Sequence, residues 1–102
     1  MNEPTVLELD DGRKLTIKQP DILQETRIVR AMGDSAANAV YMSAYVLPAA
    51  FVVAIDDDQV IFPRTEREIE GLIQRLGRDG IAAVRKHLVD TAAPTSEADL
   101  KN

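Results

Sequence analysis

A run of 21 residues without a charged side chain, "SAANAVYMSAYVLPAAFVVAI", occupies residues 35–55 and limits how this chain can fold. About 20 apolar residues are enough to cross a bilayer as a helix. Seven of these residues are alanine, however, and Asn38, Ser43 and Pro48 lie within the run, so its mean hydropathy is low. Its flanks also lack the one-sided excess of positive charge that orients a membrane span. We therefore expect the run to fill a core or to contact another protein, and not to span a membrane.

The chain is short and acidic, which limits its core and excludes several classes of partner. It has 102 residues and a formal net charge of -5. A single domain of this size buries only about 60–70% of its unfolded surface. Acidic residues outnumber basic ones 17 to 12, so the surface lacks the positive field that nucleic-acid binding needs. There is no cysteine for disulfides or thiolate metal sites. The start, "MNEPTVLELDDG", has neither the basic nor the apolar region of a signal peptide.

Alternating apolar and polar residues on both sides of an Asp-Gly dipeptide predict a β-hairpin over residues 5–18. The apolar residues of its two strands can share one face of a sheet only if the loop has an odd number of residues, three or five. We expect Leu9 to lie opposite Leu15. A two-residue turn is therefore not expected.

The next segment predicts an amphipathic helix at about residues 21–32. Asp21 is a suitable N-cap, and Gly33 is suited to end the helix. Its apolar face is expected to contain Ile22, Val29 and Met32.

The uncharged run predicts a second helix at about residues 35–55. Pro48 should kink or divide it, because proline removes a hydrogen bond and clashes with the preceding turn. Residues 49–55 could be helix or strand, since "FVVAI" is rich in β-branched side chains. As a helix the run is apolar nearly all round. It could be the central core helix or a surface for a partner, and both interpretations hold if one face packs in the core while the other binds a partner.

Two more helices are predicted, at about residues 65–76 and 79–89. Thr65 and Glu68 have the spacing of a capping box, and Gly77 supplies a left-handed stop. The apolar stripe of the first of these helices contains Ile69, Leu72, Ile73 and Leu76.

These elements together predict a fold that is mainly α with an N-terminal β-hairpin, an α+β fold with a small bundle of about four helices. Residues 1–90 are predicted to form a single domain. Residues 91–102 lack apolar periodicity and are predicted to be a disordered tail.

No combination of side chains predicts an enzyme, a cofactor site or a metal site. His87 is the only histidine, and it lies near a predicted helix C-terminus, where a solvated cation is favoured. Asp56, Asp57 and Asp58 are adjacent and precede an apolar segment, so a solvated turn is expected in place of a calcium loop. The serines have no "GxSxG" setting and no candidate base. We therefore expect a binding protein.

Three segments resemble the small tail assembly chaperones encoded by long-tailed phages and by prophages. They are the hairpin "LELDDGRKLTIKQP", the segment "SAANAVYM" and the segment "PRTEREIEGLIQRLGRDGIAAV". The resemblance covers about residues 6–85. It implies a non-enzymatic factor of the bacterial host cytoplasm that binds the tape measure protein, helps to recruit tail tube subunits and is not retained in the virion.

The resemblance also implies which residues would bind a partner, because the apolar helical segments of the family match two stretches of this chain. The candidate partner-binding residues are Val40, Tyr41, Ala44, Tyr45, Leu47, Phe51, Ile69, Leu72, Ile73 and Leu76. We also expect the protein to self-associate. The alternative function is a small acidic regulatory binding module, such as an antitoxin or an inhibitor-type adaptor, and a third possibility is a structural tail component.

Overall fold

The structure, a computed structural model, describes the backbone of residues 3–101 and the side chains of residues 3–91. Its strands are β1 (Thr5–Glu8), β2 (Lys14–Ile17), β3 (Val52–Ile55) and β4 (Asp58–Gln59). Its helices are α1 (Ile22–Met32), α2 (Ala39–Tyr41), α3 (Leu47–Ala50) and α4 (Glu66–Lys101). A 3-10 turn (Gly33–Ala37) precedes α2, and a π turn (Met42–Val46) joins α2 to α3. The four strands form one antiparallel sheet in the order β1-β2-β3-β4.

The predicted hairpin forms, with a register two residues away from the expected one. Leu7, not Leu9, lies opposite Leu15, and the Leu9 amide donates to the Arg13 carbonyl over 2.8 Å. The prediction that Leu9 faces Leu15 is therefore wrong. The odd loop is confirmed, because five residues separate Glu8 from its partner Lys14. A shift of two residues leaves every side chain on the same face, so Leu9 and Leu15 are both buried.

The C-terminal part of the uncharged run is a strand. The predicted helix over residues 35–55 is therefore too long, and of the two alternatives left open for residues 49–55, strand is observed at residues 52–55. β3 pairs with β2, so that Ile55 lies opposite Leu15 and Val52 opposite Ile17. β2 lies between β1 and β3 in the sheet, and the edge that β1 leaves open offers backbone hydrogen bonds to a third strand. The β-branched residues of "FVVAI" suit that position. Their burial explains why the last residues of the run are apolar without being helical.

The remainder of the run forms a helical segment of 12 residues, 39–50, which we call the central run. Asn38 caps it by accepting a hydrogen bond from the Tyr41 amide over 3.0 Å. The Leu47 amide donates to the Met42 carbonyl, five residues back, which is the π turn. This wide turn stands directly before Pro48, whose ring would crowd an ordinary helical turn. The expected kink at Pro48 is therefore a π turn, and the helix continues through it.

The core consists of two groups of buried side chains. The sheet and α4 enclose the first group, with Ala49 between them: Leu9, Leu15, Ile17, Ala49, Val52, Ile55, Leu72, Leu76, Ile81 and Val84. The start of α4 packs with α1 and the central run around the second group: Ile28, Met32, Met42, Val46, Ala50 and Ile69. Ile73 is half-buried and packs against both groups.

The predicted apolar face of α1 is partly wrong. Asp21 and Gln24 form a complete capping box, so the start of the helix is as expected. Of the predicted core residues only Met32 is buried, while Ile22 is 79% exposed and Val29 is half exposed. Ile28, which the sequence analysis did not select, is 1% exposed. The 3-10 turn after Met32 sets the direction of α1, so that the face containing Ile28 meets the central run.

The two predicted C-terminal helices meet directly as α4, which bends at Gly77. This residue has φ 69° and ψ -178°, a conformation open almost only to glycine. The hairpin loop holds the bend, because Arg13 donates from Nη1 to the Arg75 carbonyl over 3.0 Å and from Nη2 to the Leu76 carbonyl over 3.1 Å. Asp11 orients that guanidinium through a 2.9 Å hydrogen bond. The predicted stop at Gly77 is thus a corner between two helical halves, without a connecting loop.

The start of α4 is capped nearly as expected. The Glu68 amide donates to the Thr65 hydroxyl over 3.1 Å, while the Glu68 carboxylate accepts from the Arg64 amide over 2.7 Å. At the other end, the backbone of α4 continues as helix to Lys101. The disordered tail at residues 91–102 stays a prediction, because the side chains beyond Thr91 lie outside the described residues.

The α+β class is confirmed, whereas the bundle of about four helices is not matched in detail. Two more strands have joined the hairpin, and the helical segments pack against the resulting sheet and against one another. Within residues 3–101, none of the helices is long and apolar enough to cross a bilayer.

Candidate functional site

The central run contributes five of the ten predicted partner-binding residues and Phe51, which follows it, is a sixth; they differ widely in exposure. Val40 is 71% exposed and Tyr45 is 45% exposed. The other four are half-buried: Tyr41, Ala44, Leu47 and Phe51. The run therefore divides between core and surface, and it offers two large apolar side chains to a partner.

Several of the predicted residues belong to the core. Ile69 and Leu76 are fully buried, and Leu72 is 5% exposed. Their selection as binding residues stays a prediction, and in this structure the stripe at i, i+3, i+4 and i+7 packs into the two core groups. Phe51 packs against the first core group, and its carbonyl accepts from the Lys18 amide over 2.8 Å. Replacement of Phe51 would therefore disturb the fold before it disturbed a partner.

Tyr41 lies at the acidic end of the central run. Burial raises the pKa of its hydroxyl above the ordinary value, and the nearby carboxylates of Glu66 and Glu70 raise that pKa further. Glu66 also accepts a 2.8 Å hydrogen bond from the Ser35 hydroxyl. A partner that approaches Tyr41 would therefore meet negative charge.

The middle of the central run borders a groove at the bend of α4. The groove has a volume of about 540 Å³. Tyr45 and Ile73, both predicted as partner-binding residues, lie on its wall, together with Ile81 and Ala82 from beyond the bend. Because Gly77 turns the chain here, side chains from both halves of α4 and from the central run reach one surface.

Two guanidinium groups stand at this groove. Arg78 and Arg85 line it, and no carboxylate does. Within residues 3–91, the ion pairs of the structure involve Arg13, Arg75 and Lys86, and neither groove arginine takes part in one. On a chain with a net charge of -5, the groove is therefore a local positive site with an apolar wall.

The apolar surface continues along α4 beyond the groove. A second depression of about 310 Å³ shares Ala82 and Arg85 with the groove and extends to Val89, which is 63% exposed. Lys86 borders it, paired with Asp90 over 2.9 Å. We call the groove and this extension the bend surface.

A further depression lies on the opposite side of the start of α4. It has a volume of about 440 Å³ and includes Ile61, which is 81% exposed. Its charged lining is mixed, since Arg64 and Arg75 are joined by Glu68. Arg75 is also 3.6 Å from the Asp58 carboxylate. This depression therefore lacks the uniformly positive charge of the groove at the bend.

The sequence analysis missed the residues that complete the groove, namely Arg78, Ile81, Ala82 and Arg85. Gly77 was expected to end one helix, so no pattern placed Ile81 beside Ile73. The available signal was the short spacing in "GRDG", which leaves little length for a loop. Gly80 in that segment is buried, and a Cβ at this position would lie 3.0 Å from the Leu76 Cβ and 3.8 Å from Leu15 Cδ1.

The other residues singled out from the sequence form no chemical centre in the described part of the chain. Asp56, Asp57 and Asp58 are exposed at the turn between β3 and β4, as the sequence predicted. Asp56 adopts φ 53°, and its carboxylate accepts from the Lys14 amide over 3.0 Å, which ties this turn to β2. His87 is half-buried near the second half of α4. Among the side chains of residues 3–91, no three histidines or carboxylates gather as metal ligands would.

Comparisons with protein-family models, with curated proteins and with solved structures give no match to this chain. The candidate site is therefore defined by its own geometry: an apolar groove at a helix bend, with two arginines and a half-exposed tyrosine.

Proposed function

We propose that the protein is a non-enzymatic tail assembly chaperone of a long-tailed phage or prophage. In this role it binds the tape measure protein and assists assembly of the tail tube in the bacterial host cytoplasm, without being retained in the virion. The observation that carries the proposal is the bend surface, an open apolar groove on an otherwise acidic domain. The resemblance of residues 6–85 to this family gives the partner.

The physical basis is a division of roles between surface and groove. A chaperone for a long, aggregation-prone protein must cover apolar segments of that protein and stay dispersed while it does so. The groove offers Tyr45 and Ile73 for apolar contact, and aromatic side chains are favoured anchors in protein interfaces. The net charge of -5 disfavours non-specific aggregation of the chaperone. Val40 provides a second exposed apolar side chain on the central run.

The proposal is tested by co-expression of the protein with the tape measure protein encoded downstream of its gene, followed by affinity capture. We expect wild-type protein to capture the tape measure protein and to keep more of it soluble. Tyr45→Glu should reduce capture at least about fivefold, because it places a charge in an apolar contact. Ser43→Glu is the matched control, since Ser43 is exposed on the same π turn and lies outside the groove.

Three results would contradict the proposal in different ways. Absence of capture by wild-type protein would remove the tape measure protein as partner. Capture of a toxin encoded by a neighbouring gene would favour the acidic regulatory module. Detection of the chain in purified phage particles by mass spectrometry would favour a structural tail component.

A further inference from the structure

The bend surface combines positively charged side chains with apolar ones. We propose that it binds an amphipathic helical segment in which apolar side chains are flanked by carboxylates. This inference rests on the proposed function, in that both require the groove to receive another polypeptide. It adds the chemistry of the segment that is received.

The apolar part of the site can accommodate a partner side chain of moderate size. Ile81 is buried and closes the base of the groove, while Ala82 is small and exposed and leaves space above it. Tyr45 stands at the side of this space with 45% of its surface exposed. A leucine or isoleucine inserted here would remove the exposed face of Tyr45 from water, and this burial is the source of affinity.

The charged part of the site favours binding of carboxylates. Arg78 and Arg85 are seven residues apart, two helical turns, so both can stand along the same side of α4. A guanidinium binds a carboxylate through two parallel hydrogen bonds. Because no carboxylate of the protein lines the groove, a bound segment would have to supply these acceptors.

The length of the site suits a helix of a few turns. Beyond the corner, the bend surface runs along the second half of α4 from Arg78 to Val89, a distance of roughly 16 Å at 1.5 Å per residue. A partner helix of about 11 residues has that length. Apolar residues at i, i+4 and i+7, with glutamates beside them, would meet both the apolar wall and the arginines.

The inference is tested with two designed 16-residue peptides, each labelled with fluorescein, and the full-length protein. Both peptides carry the same leucines at helical spacing, and they differ only in flanking residues, which are glutamate in one and lysine in the other. Binding is measured by fluorescence anisotropy at low and moderate salt. On net charge alone, a protein of charge -5 would prefer the lysine peptide. We expect it to bind the glutamate peptide about tenfold more tightly, from two ion pairs next to an apolar contact.

The variant Arg78→Glu/Arg85→Glu should lose this preference or reverse it. The matched control is Arg27→Glu/Arg30→Glu on α1, which makes the same change in net charge at two exposed positions far along the chain from the groove. The control should keep the tenfold preference. Circular dichroism and urea unfolding of each variant establish that it is folded, and both arginine pairs are exposed enough to be replaced.

Two results would overturn the inference. Equal binding of the two peptides by wild-type protein would show that the arginines do not select charge. A concentration-dependent dimer that disappears in Arg78→Glu/Arg85→Glu would identify a second copy of the chain as the occupant.

The proposed function and the inference can fail separately. Capture of the tape measure protein that is unchanged in Arg78→Glu/Arg85→Glu would keep the function and refute the inference. Tight binding of the glutamate peptide without capture of the tape measure protein would keep the inference and refute the proposed function.

Discussion

Arg13 joins the hairpin loop to the bend of α4, and we expect Arg13→Met to lower the free energy of unfolding by about 2 kcal/mol. Its guanidinium donates to the Arg75 and Leu76 carbonyls, which end the first half of α4. Gly77 is not helical, so these carbonyls lack their ordinary helical partners. Methionine keeps an unbranched apolar stem and removes only the donors.

The magnitude follows from the surroundings of each carbonyl. A hydrogen bond from a charged donor contributes about 1.5–3 kcal/mol, and the bond to Leu76 is partly buried, so we take the lower limit. The bond to Arg75 is exposed, and water can replace the donor there, so it contributes about 0.5 kcal/mol. The ion pair of Arg13 with Asp11 is exposed and is left out of the total, because water and salt screen it.

Urea unfolding at neutral pH, followed by circular dichroism, measures this effect. Arg13→Met should lower the midpoint with an unchanged slope. Arg13→Lys should fall between this variant and wild type, since one ammonium does not reproduce the fork of the guanidinium. Arg27→Met on exposed α1 is the control and should change little. If Arg13→Met and Arg27→Met unfold at the same midpoint, the guanidinium does not hold the bend.

Three further predictions concern the bend, α1 and the hairpin loop. Gly77→Ala should destabilise the fold by about 1–3 kcal/mol, because alanine is strained at φ 69° and ψ -178°, and thermal unfolding would reveal it; an unchanged melting temperature would show that the bend relaxes. Ile28→Ala should lower the free energy of unfolding in urea by about 2–4 kcal/mol, and Ile22→Ala should lower it by less than about 0.5 kcal/mol, since Ile28 is buried and Ile22 is exposed. Equal decreases would contradict the observed face of α1. The hydrogen bond from the Arg13 amide lowers the pKa of the Asp11 carboxyl, and the Arg13 guanidinium lowers that pKa further. The ionised carboxylate therefore stabilises the fold above its ordinary pKa of about 3.9. This stabilisation is lost as the pH falls through the lower pKa of the folded state. The difference in urea midpoint between wild type and Asp11→Asn should therefore shrink as the pH falls below the ordinary pKa of about 3.9, and a constant difference would argue against this role.

The local elements of this fold could be predicted from the sequence because each depends on neighbouring residues. The cap at Asp21, the odd hairpin loop and the special role of Gly77 all follow from short patterns. Each of them is settled within a few residues by backbone geometry and hydrogen bonding. These elements appear in the structure close to the expected positions.

The elements that were missed depend on partners far along the chain. Residues 52–55 became a strand because β2, more than 30 residues earlier, offered an open edge. The face of α1 could not be selected from its own sequence, because Ile22 and Ile28 are equally apolar and only the position of the central run decides between them. Hydrophobic periodicity describes one helix at a time and leaves such choices open.

The candidate site was half predictable for the same reason. Tyr45 and Ile73 were selected because they are apolar and lie on helices, and both line the groove. Arg78 and Arg85 were not selected, since a charged residue on a helix ordinarily indicates a solvated face. The corner at Gly77 brings these arginines to the same groove as Tyr45 and Ile73.

The π turn at Met42–Val46 makes the length of the central run as important as its composition. A π turn closes on the fifth residue where an α turn closes on the fourth, so deletion of one residue here would leave an ordinary α turn directly before Pro48, and the proline ring would crowd it. Ala49 and Ala50, which now face the two core groups, would be displaced with Pro48 as the chain relieved that clash. Substitutions at an exposed site such as Ser43 leave this geometry alone. Homologous proteins should therefore differ in the side chains between Asn38 and Pro48 while keeping the number of residues between them.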